Sequence, residues 1–206
     1  MSCNDATQFW NERYAKEEFI FGKAPNEYLV EQASQYLQPE SKVLCIADGE
    51  GRNGVWLARQ GMRVTSFDVS DIAISKAKQL AQENQVTIEC VLSDVDSFAW
   101  PENTYDAIIA IFIQFADPAM RGRIFQSIER ALKPGGWLIL QGYTPKQLEY
   151  KTGGPADIAH LYTENAMQAA FQNFNILDLC SYEKELSEGS RHSGMSALLG
   201  LVARKV

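Results

Sequence analysis

Two glycines and two aspartates are the residues of this sequence whose types and spacing suggest binding chemistry. Gly49 and Gly51 follow the apolar run 43–47, and Asp68 and Asp94 follow the next two apolar runs. Glycines at such a turn let free backbone N–H groups seat a polar or anionic ligand. A carboxylate such as Asp68 can accept two ribose hydroxyl hydrogens, and Asp94 is suited to an adenine amine. Jointly they predict a nucleoside pocket, although each alone is a weak signal.

An alternation of strands and helices must position these residues. Apolar runs predict strands at 42–47, 63–67, 87–92, 105–112 and 137–141. Amphipathic or capped segments predict helices at 52–60, 71–84 and 118–132. This order is typical of a parallel sheet covered by helices on both faces, with ligands bound beyond the carboxyl ends of the strands.

The two ends of the chain depart from the alternation. Residues 5–28 place six aromatic side chains in a polar stretch, and Asn26 is a candidate N-cap for a helix at 28–37. Packing principles alone favour a helix packed on the core over a lid. After residue 142 we expect a long loop at 144–158, a helix at 163–171, and strands at 174–186 and 196–203 joined by 187–194. No second domain is expected.

Composition excludes several classes of function. The chain has 206 residues and a net charge of −7, which disfavours sequence-independent binding to nucleic acid. Its four cysteines show no C-x-x-C spacing, so we expect free thiols and no metal site. No signal-peptide core or membrane-length apolar run is present, and a cytoplasmic location is the default expectation.

The glycine turn leaves a rival interpretation open. Residues 49–54 fit G-x-G-x-x-G literally, and Asp68 follows at about the spacing of a dinucleotide fingerprint. A short NAD(P)-dependent oxidoreductase is therefore an alternative, as is a non-catalytic nucleoside-binding module. Against the dehydrogenase, Asp94 would be unnecessary and the chain is short for a separate substrate domain.

The segments 43–51, 105–112 and 132–136, together with Asp68 and Ser93-Asp94, resemble the class I S-adenosylmethionine-dependent methyltransferases. The resemblance implies a Rossmann-like α/β fold, with a seven-stranded, mostly parallel sheet whose last strand is antiparallel and with helices on both faces. It also implies S-adenosyl-L-methionine as cofactor. One domain would comprise an N-terminal helical lid (1–40), a cofactor-binding core (41–142), and a substrate loop with a C-terminal hairpin (143–206).

A narrower likeness is to the tellurite-resistance and thiopurine methyltransferase group. It is carried by FWNERY at 9–14, F-G-x-x-P-N at 21–26, GEGRN at 49–53 and the loop at 144–155. By this resemblance the N-terminal aromatics cover cofactor and substrate. The sequence departs from the family pattern at Cys45, where an acidic residue is usual, and at Ala47, where glycine is usual. Asp48 or Glu50 could supply the missing contact to the cofactor's amine.

The resemblance and the strand-end positions together assign candidate site residues. The predicted cofactor-binding residues are Trp10, Tyr14, Gly22, Ala47, Asp48, Gly49, Gly51, Asn53, Asp68, Val69, Ser70, Asp94, Val95 and Ile111. The predicted substrate residues are Phe21, Phe112, Gln114, Tyr143, Tyr150, Arg191 and His192.

No catalytic base stands out in the sequence. The two histidines, His160 and His192, both fall in predicted loops, and His192 is as readily a solvated turn residue. Methyl transfer to a thiolate or selenolate needs little or no base, whereas oxygen and carbon acceptors usually need one. We therefore expect a small-molecule acceptor, preferably a thiol, selenium or tellurium compound, and a monomer or homodimer.

Overall fold

The computed structural model describes residues 3–206, with side chains from Asp5 onward, so the predicted free thiol of Cys3 lies outside the described side chains. The helices are α1 (Cys3–Tyr14), α2 (Glu27–Tyr36), α3 (Arg52–Arg59), α4 (Asp71–Glu83), α5 (Pro118–Ala131), α6 (Gln147–Tyr150) and α7 (Glu164–Ala170). The strands are β1 (Lys42–Ile46), β2 (Arg63–Asp68), β3 (Glu89–Leu92), β4 (Tyr105–Ile111), β5 (Leu132–Tyr143), β6 (Phe174–Glu188) and β7 (His192–Lys205).

The seven strands form one sheet in the order β3-β2-β1-β4-β5-β7-β6. Strands β1 to β5 pair in parallel, and β7 runs antiparallel to both β5 and β6. The predicted fold class is confirmed: the sheet is mostly parallel and its last strand is antiparallel. The order reverses between β1 and β4, which is where an open α/β sheet forms a crevice for a ligand.

The buried strands divide the core into two layers. Leu44, Ile108 and Leu138 belong to the cluster on one face of the sheet. The neighbouring Val43 and Ile109 belong to the cluster on the other face. Because successive side chains of a strand point to opposite faces, a strand that is covered on both sides must be apolar throughout. This requirement explains why these strands could be recognised in the sequence as apolar runs.

The caps of the helices follow local chemistry. Asn26 and Ser70 accept hydrogen bonds from the N–H of Leu29 and of Ala73, and so cap α2 and α4. Thr163 caps α7 in the same way. The expected N-cap at Asn26 is therefore confirmed.

Several sequence-based boundaries are wrong. The expected loop at 144–158 contains α6, and a short 3₁₀ helix, Ile158–His160, follows it. The terminal hairpin is longer than predicted, because β6 extends to Glu188 and β7 begins at His192. The charged residues near the turn suggested a loop, but β6 is an edge strand with many exposed side chains, and such a strand tolerates charge. Strand β5 likewise begins at Leu132, five residues before the predicted start at 137.

None of the helices within residues 3–206 is long and apolar enough to cross a membrane.

Candidate functional site

A cavity of about 700 Å³ opens at the carboxyl ends of the parallel strands. Its walls come from the segments that follow β1 to β4, from the end of β5, from α1 and from the turn of the terminal hairpin. This volume lies within the range of small-molecule and cofactor sites. The cavity lies where the sheet topology places a ligand crevice, so we treat it as the candidate site.

The turn after β1 is a succession of left-handed residues. The φ angles are 47° at Ala47, 58° at Gly49 and 85° at Gly51. A Cβ on Gly49 would lie 2.7 Å from the Tyr14 hydroxyl oxygen, and one on Gly51 would lie 2.6 Å from the Cβ of Ala77. Gly49 is thus required by the close approach of α1, and Gly51 by the close packing of this turn on α4.

Two carboxylates that line the cavity are held by backbone N–H groups. Asp68 accepts hydrogen bonds from the N–H of Gly49 at 3.0 Å and of Ser70 at 2.9 Å. Asp48 accepts one from the N–H of Gly54 at 3.0 Å. Burial raises the pKa of Asp48 to about 7 and that of Asp68 to about 6, and the backbone hydrogen bonds offset only part of the effect. A ligand that brings positive charge would favour the ionised form of both groups.

The carboxylate expected at the family position of Cys45 has two candidate replacements. Cys45 lines the cavity and is 1% exposed, and burial raises the pKa of its thiol. Glu50 forms an ion pair with Lys76 at 2.8 Å, so its charge is already compensated. Asp48 has no carboxylate-to-lysine or carboxylate-to-arginine bridge among the described residues. Of the two, Asp48 is the better placed to meet a cationic group.

Helix α1 forms one wall of the cavity and also packs on the core. Tyr14 is 4% exposed and clusters with Ile20 and Ala73. The rings of Trp10 and Tyr14 stack at 5.6 Å between centroids. One face of α1, at helical spacing, lines the cavity with Ala6, Phe9, Trp10, Arg13 and Tyr14. The expectation of a helix that only packs on the core is therefore incomplete.

Polar contacts fix α1 and the segment after it to α4. Asn11 donates to the Asp71 carboxylate at 2.7 Å and accepts from the Ser70 hydroxyl at 2.5 Å. Lys76 donates to two backbone carbonyls of the segment that follows α1, and to Glu50 of the glycine turn. These contacts hold the aromatic face of α1 over the glycine turn.

The residues after β3 form a side wall. The Asp94 carboxylate accepts hydrogen bonds from the N–H of Asp96 at 2.9 Å and of Ser97 at 2.7 Å, which closes a tight turn. Val95 is buried beside it. Asp94 thus combines the turn-forming role that is common for aspartate with a position on the cavity wall.

The other end of the cavity is aromatic. The His192 ring lies 4.4 Å from the Phe112 ring, 4.7 Å from the Phe21 ring and 5.8 Å from the Tyr143 ring, measured between centroids. Phe112 has a φ of 54°, an uncommon conformation for a residue with a side chain. The hydroxyl of Tyr143 and the Nδ1 of His192 are buried without a hydrogen-bond partner.

A buried polar network lies behind His192. Arg52 pairs with Glu188 at 2.7 Å, and each side chain is 7% exposed. Asn26 donates to the second oxygen of Glu188 at 2.9 Å and to Gln141 at 2.7 Å. His192 Nδ1 lies 3.8 Å from the Glu188 carboxylate. Burial alone would raise the pKa of Glu188, but hydrogen bonds and charge interactions with His192 and Arg52 outweigh it and lower the pKa to about 2.

Most of the predicted site residues line this cavity. All predicted cofactor residues except Gly51 and Ser70 do so, and so do all predicted substrate residues except Tyr150. Gly51 is the N-cap residue of α3 and packs against Ala77, while Ser70 caps α4. The Tyr150 hydroxyl donates to Glu183 on β6, which draws its ring away from the cavity. These three residues can act only by shaping the walls.

Two predicted substrate residues have properties that the sequence did not suggest. Gln114 lines the cavity, but its amide donates to the carbonyls of Tyr143 and His160 and accepts from the Tyr143 N–H. It joins the segment after β4 to the end of β5. His192 is buried, with 9% of its surface exposed, so the interpretation as a solvated turn is wrong.

Sequence reasoning missed several lining residues. Phe9 and Arg13 flank Trp10 and Tyr14 on the same face of α1, and helical spacing alone could have identified them. Gly153, Gly154 and the following Pro155 also line the cavity. The buried pair of Arg52 and Glu188 left no local signal, since 136 positions separate its members.

Comparison with known proteins agrees with this geometry. Residues 43–136 match the family described as methyltransferase domain. A probable S-adenosyl-L-methionine-dependent methyltransferase, TehB of Haemophilus influenzae, is 23% identical over 181 residues, which cover 85% of this chain and 60% of that protein. A sterol 24-C-methyltransferase of Gibberella zeae is 27% identical over 124 residues, or 56% of this chain and 32% of that protein. The chain thus spans 32% to 60% of the length of these curated relatives.

Solved structures share the fold. TehB from Haemophilus influenzae has a TM-score of 0.72 at 19% identity, covering 98% of this chain and 67% of that one. The N-methyltransferase NodS from Bradyrhizobium japonicum, in complex with S-adenosyl-L-homocysteine, has a TM-score of 0.71 at 17% identity, covering 97% and 98%.

Proposed function

We propose that the chain is a class I S-adenosylmethionine-dependent methyltransferase resembling the TehB group, and that it methylates a small molecule bound at the aromatic end of its cavity. The observation that carries this proposal is a pair of carboxylates that line a cavity walled by α1: the partly buried Asp48 of the glycine turn, and the buried Asp68 that accepts a hydrogen bond from that turn. The bound cofactor would supply a methyl group that is activated by a sulfonium.

The residues present fit such a cofactor. Asp68 uses one hydrogen bond on each oxygen, which leaves lone pairs for two ribose hydroxyls. Asp48 offers a desolvated negative charge to an ammonium or sulfonium group. Gly49 lines the cavity, and a Cβ there would lie 2.7 Å from the Tyr14 hydroxyl oxygen, so only glycine lets α1 close over the turn. We assign Asp94, Val95 and Val69 to the wall around the adenosine.

The residues of the chain perform three tasks in the transfer. The carboxylates and the glycine turn bind the cofactor, while Phe112 and Tyr143 orient the acceptor against it. The face of α1 excludes water, which matters because in-line displacement depends mainly on positioning and desolvation.

A small acceptor is favoured because the cofactor and the acceptor must share one cavity. A nucleoside cofactor occupies much of about 700 Å³, and the space that remains is bounded by Phe21, Tyr143 and His192. The net charge of −7 also argues against a nucleic-acid acceptor. The resemblance to the tellurite-resistance group suggests thiols, selenite and tellurite as first candidates. The sterol 24-C- and N-methyltransferases among the relatives show that the fold alone does not select an acceptor.

Isothermal titration calorimetry tests the cofactor assignment. We expect S-adenosylmethionine and S-adenosylhomocysteine to bind and NAD(H) to show no heat of binding. Binding of NAD(H) without either sulfur nucleoside would refute the proposal in favour of the oxidoreductase alternative. Transfer of a labelled methyl group to a panel of thiols, chalcogen oxyanions, phenols and amines then tests catalysis. Cofactor binding without transfer to any acceptor would support a non-catalytic nucleoside-binding module.

A further inference from the structure

The aromatic end of the cavity contains a histidine whose surroundings resemble those of a catalytic base. Three rings surround His192, from Phe21 in the segment after α1, Phe112 after β4 and Tyr143 at the end of β5. Of its two ring nitrogens, Nδ1 is sealed from solvent without a hydrogen-bond partner. His192 nevertheless lines the cavity, so a ligand that bonds to a nitrogen of this ring would meet Nε2 rather than Nδ1.

The position of Glu188 decides which nitrogen carries the proton. Nδ1 lies 3.8 Å from the Glu188 carboxylate, which can only accept hydrogen bonds when ionised. Hydrogen bonds from Arg52 and Asn26 to its two oxygens keep this carboxylate ionised and fixed. The stable tautomer of a neutral His192 therefore has its proton on Nδ1 and a lone pair on Nε2.

The charge state follows from the groups that face the ring. Burial lowers the pKa of His192, Glu188 raises it and the more distant Arg52 lowers it, with a net decrease. The remaining titratable neighbour, Tyr143, has a raised pKa because it is buried, so it stays neutral. His192 is thus neutral at pH 7, as a base must be before it takes a proton.

We propose that His192 is the general base of the methyl transfer, with Glu188 and Arg52 as positioning residues, and that the acceptor is a hydroxyl or nitrogen compound that enters with its proton still attached. This inference rests on the proposed function and names its acceptor class. The acceptor atom forms a bond to the methyl carbon while the carbon–sulfur bond breaks and its electron pair goes to sulfur. The acceptor proton passes to His192 Nε2 and then to solvent.

Two observations independently favour a ligand at this place. The Tyr143 hydroxyl is buried without a hydrogen-bond partner, which is uncommon for a buried polar group and suits a site that binds a polar ligand. Phe112 occupies a left-handed conformation that places its ring between Tyr143 and His192. Backbone strain of this kind tends to occur at functional sites. A thiolate, which carries no proton at its acceptor atom, would need no base.

The first experiment needs no acceptor. The chain has two histidines, and His160 lies outside the cavity lining, so His160→Asn leaves His192 as the single imidazole. Long-range proton–nitrogen NMR on this variant, with and without S-adenosylhomocysteine, reports the tautomer of His192. We expect the Nδ1–H form at pH 7, and loss of that preference in the His160→Asn/Glu188→Gln double variant. A protonated or Nε2–H imidazole at pH 7 would overturn the proposal.

The second experiment compares acceptors. We expect His192→Asn to keep its affinity for S-adenosylhomocysteine while its kcat with a catechol or an aromatic amine falls by about 10²–10⁴-fold. The residual rate should rise with pH as the acceptor ionises by itself. With a dithiol assayed as its thiolate, which needs no base, the rate should fall by a much smaller factor. An equal loss on all acceptors would show a structural role.

Different results would refute the proposed function and the proposed role of His192. If the wild type methylates neither the catechol nor the amine, whether or not it methylates the dithiol, the proposed acceptor class is wrong. Absence of cofactor binding in calorimetry would overturn the proposed function itself, whatever the tautomer of His192.

Discussion

Replacing Glu188 by glutamine removes one charge of the buried pair with Arg52 while it preserves side-chain shape. The amide would place an NH₂ group against either Arg52 or Asn26, both of which donate hydrogen bonds to the carboxylate. The guanidinium of Arg52, whose side chain is 7% exposed, would lose its charged partner. Removal of one member of a buried pair is costly because the other charge stays desolvated.

The pKa of Glu188 sets the magnitude. It falls from an ordinary value of 4.5 to about 2 in the folded protein. A difference of roughly 2.5 units corresponds to about 3 kcal/mol of stability. The folded-state pKa is depressed, so this contribution is complete above pH 4.5 and is lost as the pH falls towards 2. Equilibrium urea unfolding at pH 7 should therefore show Glu188→Gln to be less stable by about 3 kcal/mol.

The matched control is the same substitution at Glu183 on the same strand. Glu183 pairs with Lys146 at 2.6 Å, but the two side chains are 42% and 48% exposed. We expect Glu183→Gln to unfold at the same urea concentration as the wild type, since an exposed pair contributes little. The difference in free energy of unfolding between wild type and Glu188→Gln should become smaller below pH 4.5. Two results would refute this explanation of Glu188: an equal loss of stability in the two variants, or a stability difference between wild type and Glu188→Gln that grows as the pH falls.

Three further predictions concern the glycine turn and its carboxylates, and a fourth concerns a glycine on α5. S-adenosylmethionine should bind more tightly as the pH rises from 5 to 7.5, because Asp48 and Asp68 ionise. The affinity for S-adenosylhomocysteine, whose sulfur is uncharged, should depend less on pH when it is measured by the same calorimetry. Asp68→Ala should weaken cofactor binding by about 1–3 kcal/mol; a change in unfolding temperature alone would mark Asp68 as a structural cap. Gly51→Ala should destabilise the fold by about 1–3 kcal/mol through the clash with Ala77, as measured by urea unfolding. Gly122→Ala on α5, where an added Cβ meets nothing within 4 Å, should instead stabilise the protein by about 0.5–1 kcal/mol.

Much of the fold could be predicted because its signals are local. Buried parallel strands such as β1 and β4 are apolar throughout, and caps such as Asn26 act within three residues of themselves. The ends of the hairpin could not be predicted in this way. The charged stretch near Glu188 lies on an edge strand, where alternation of polar and apolar residues is weak, and only pairing with β7 makes it a strand.

The sequence by itself predicted the residues that line the glycine-turn end of the cavity. Gly49, Asp68 and Asp94 could be assigned because each follows a recognisable strand, and parallel strands end at one edge of the sheet. Tertiary structure alone decided the other end. It brings Glu188 to Arg52 and Asn26 across 136 and 162 positions, and it encloses His192 among three rings. A histidine at a predicted turn has the same local sequence whether water or aromatic side chains surround it, and burial, which sets its charge, depends on residues far along the chain.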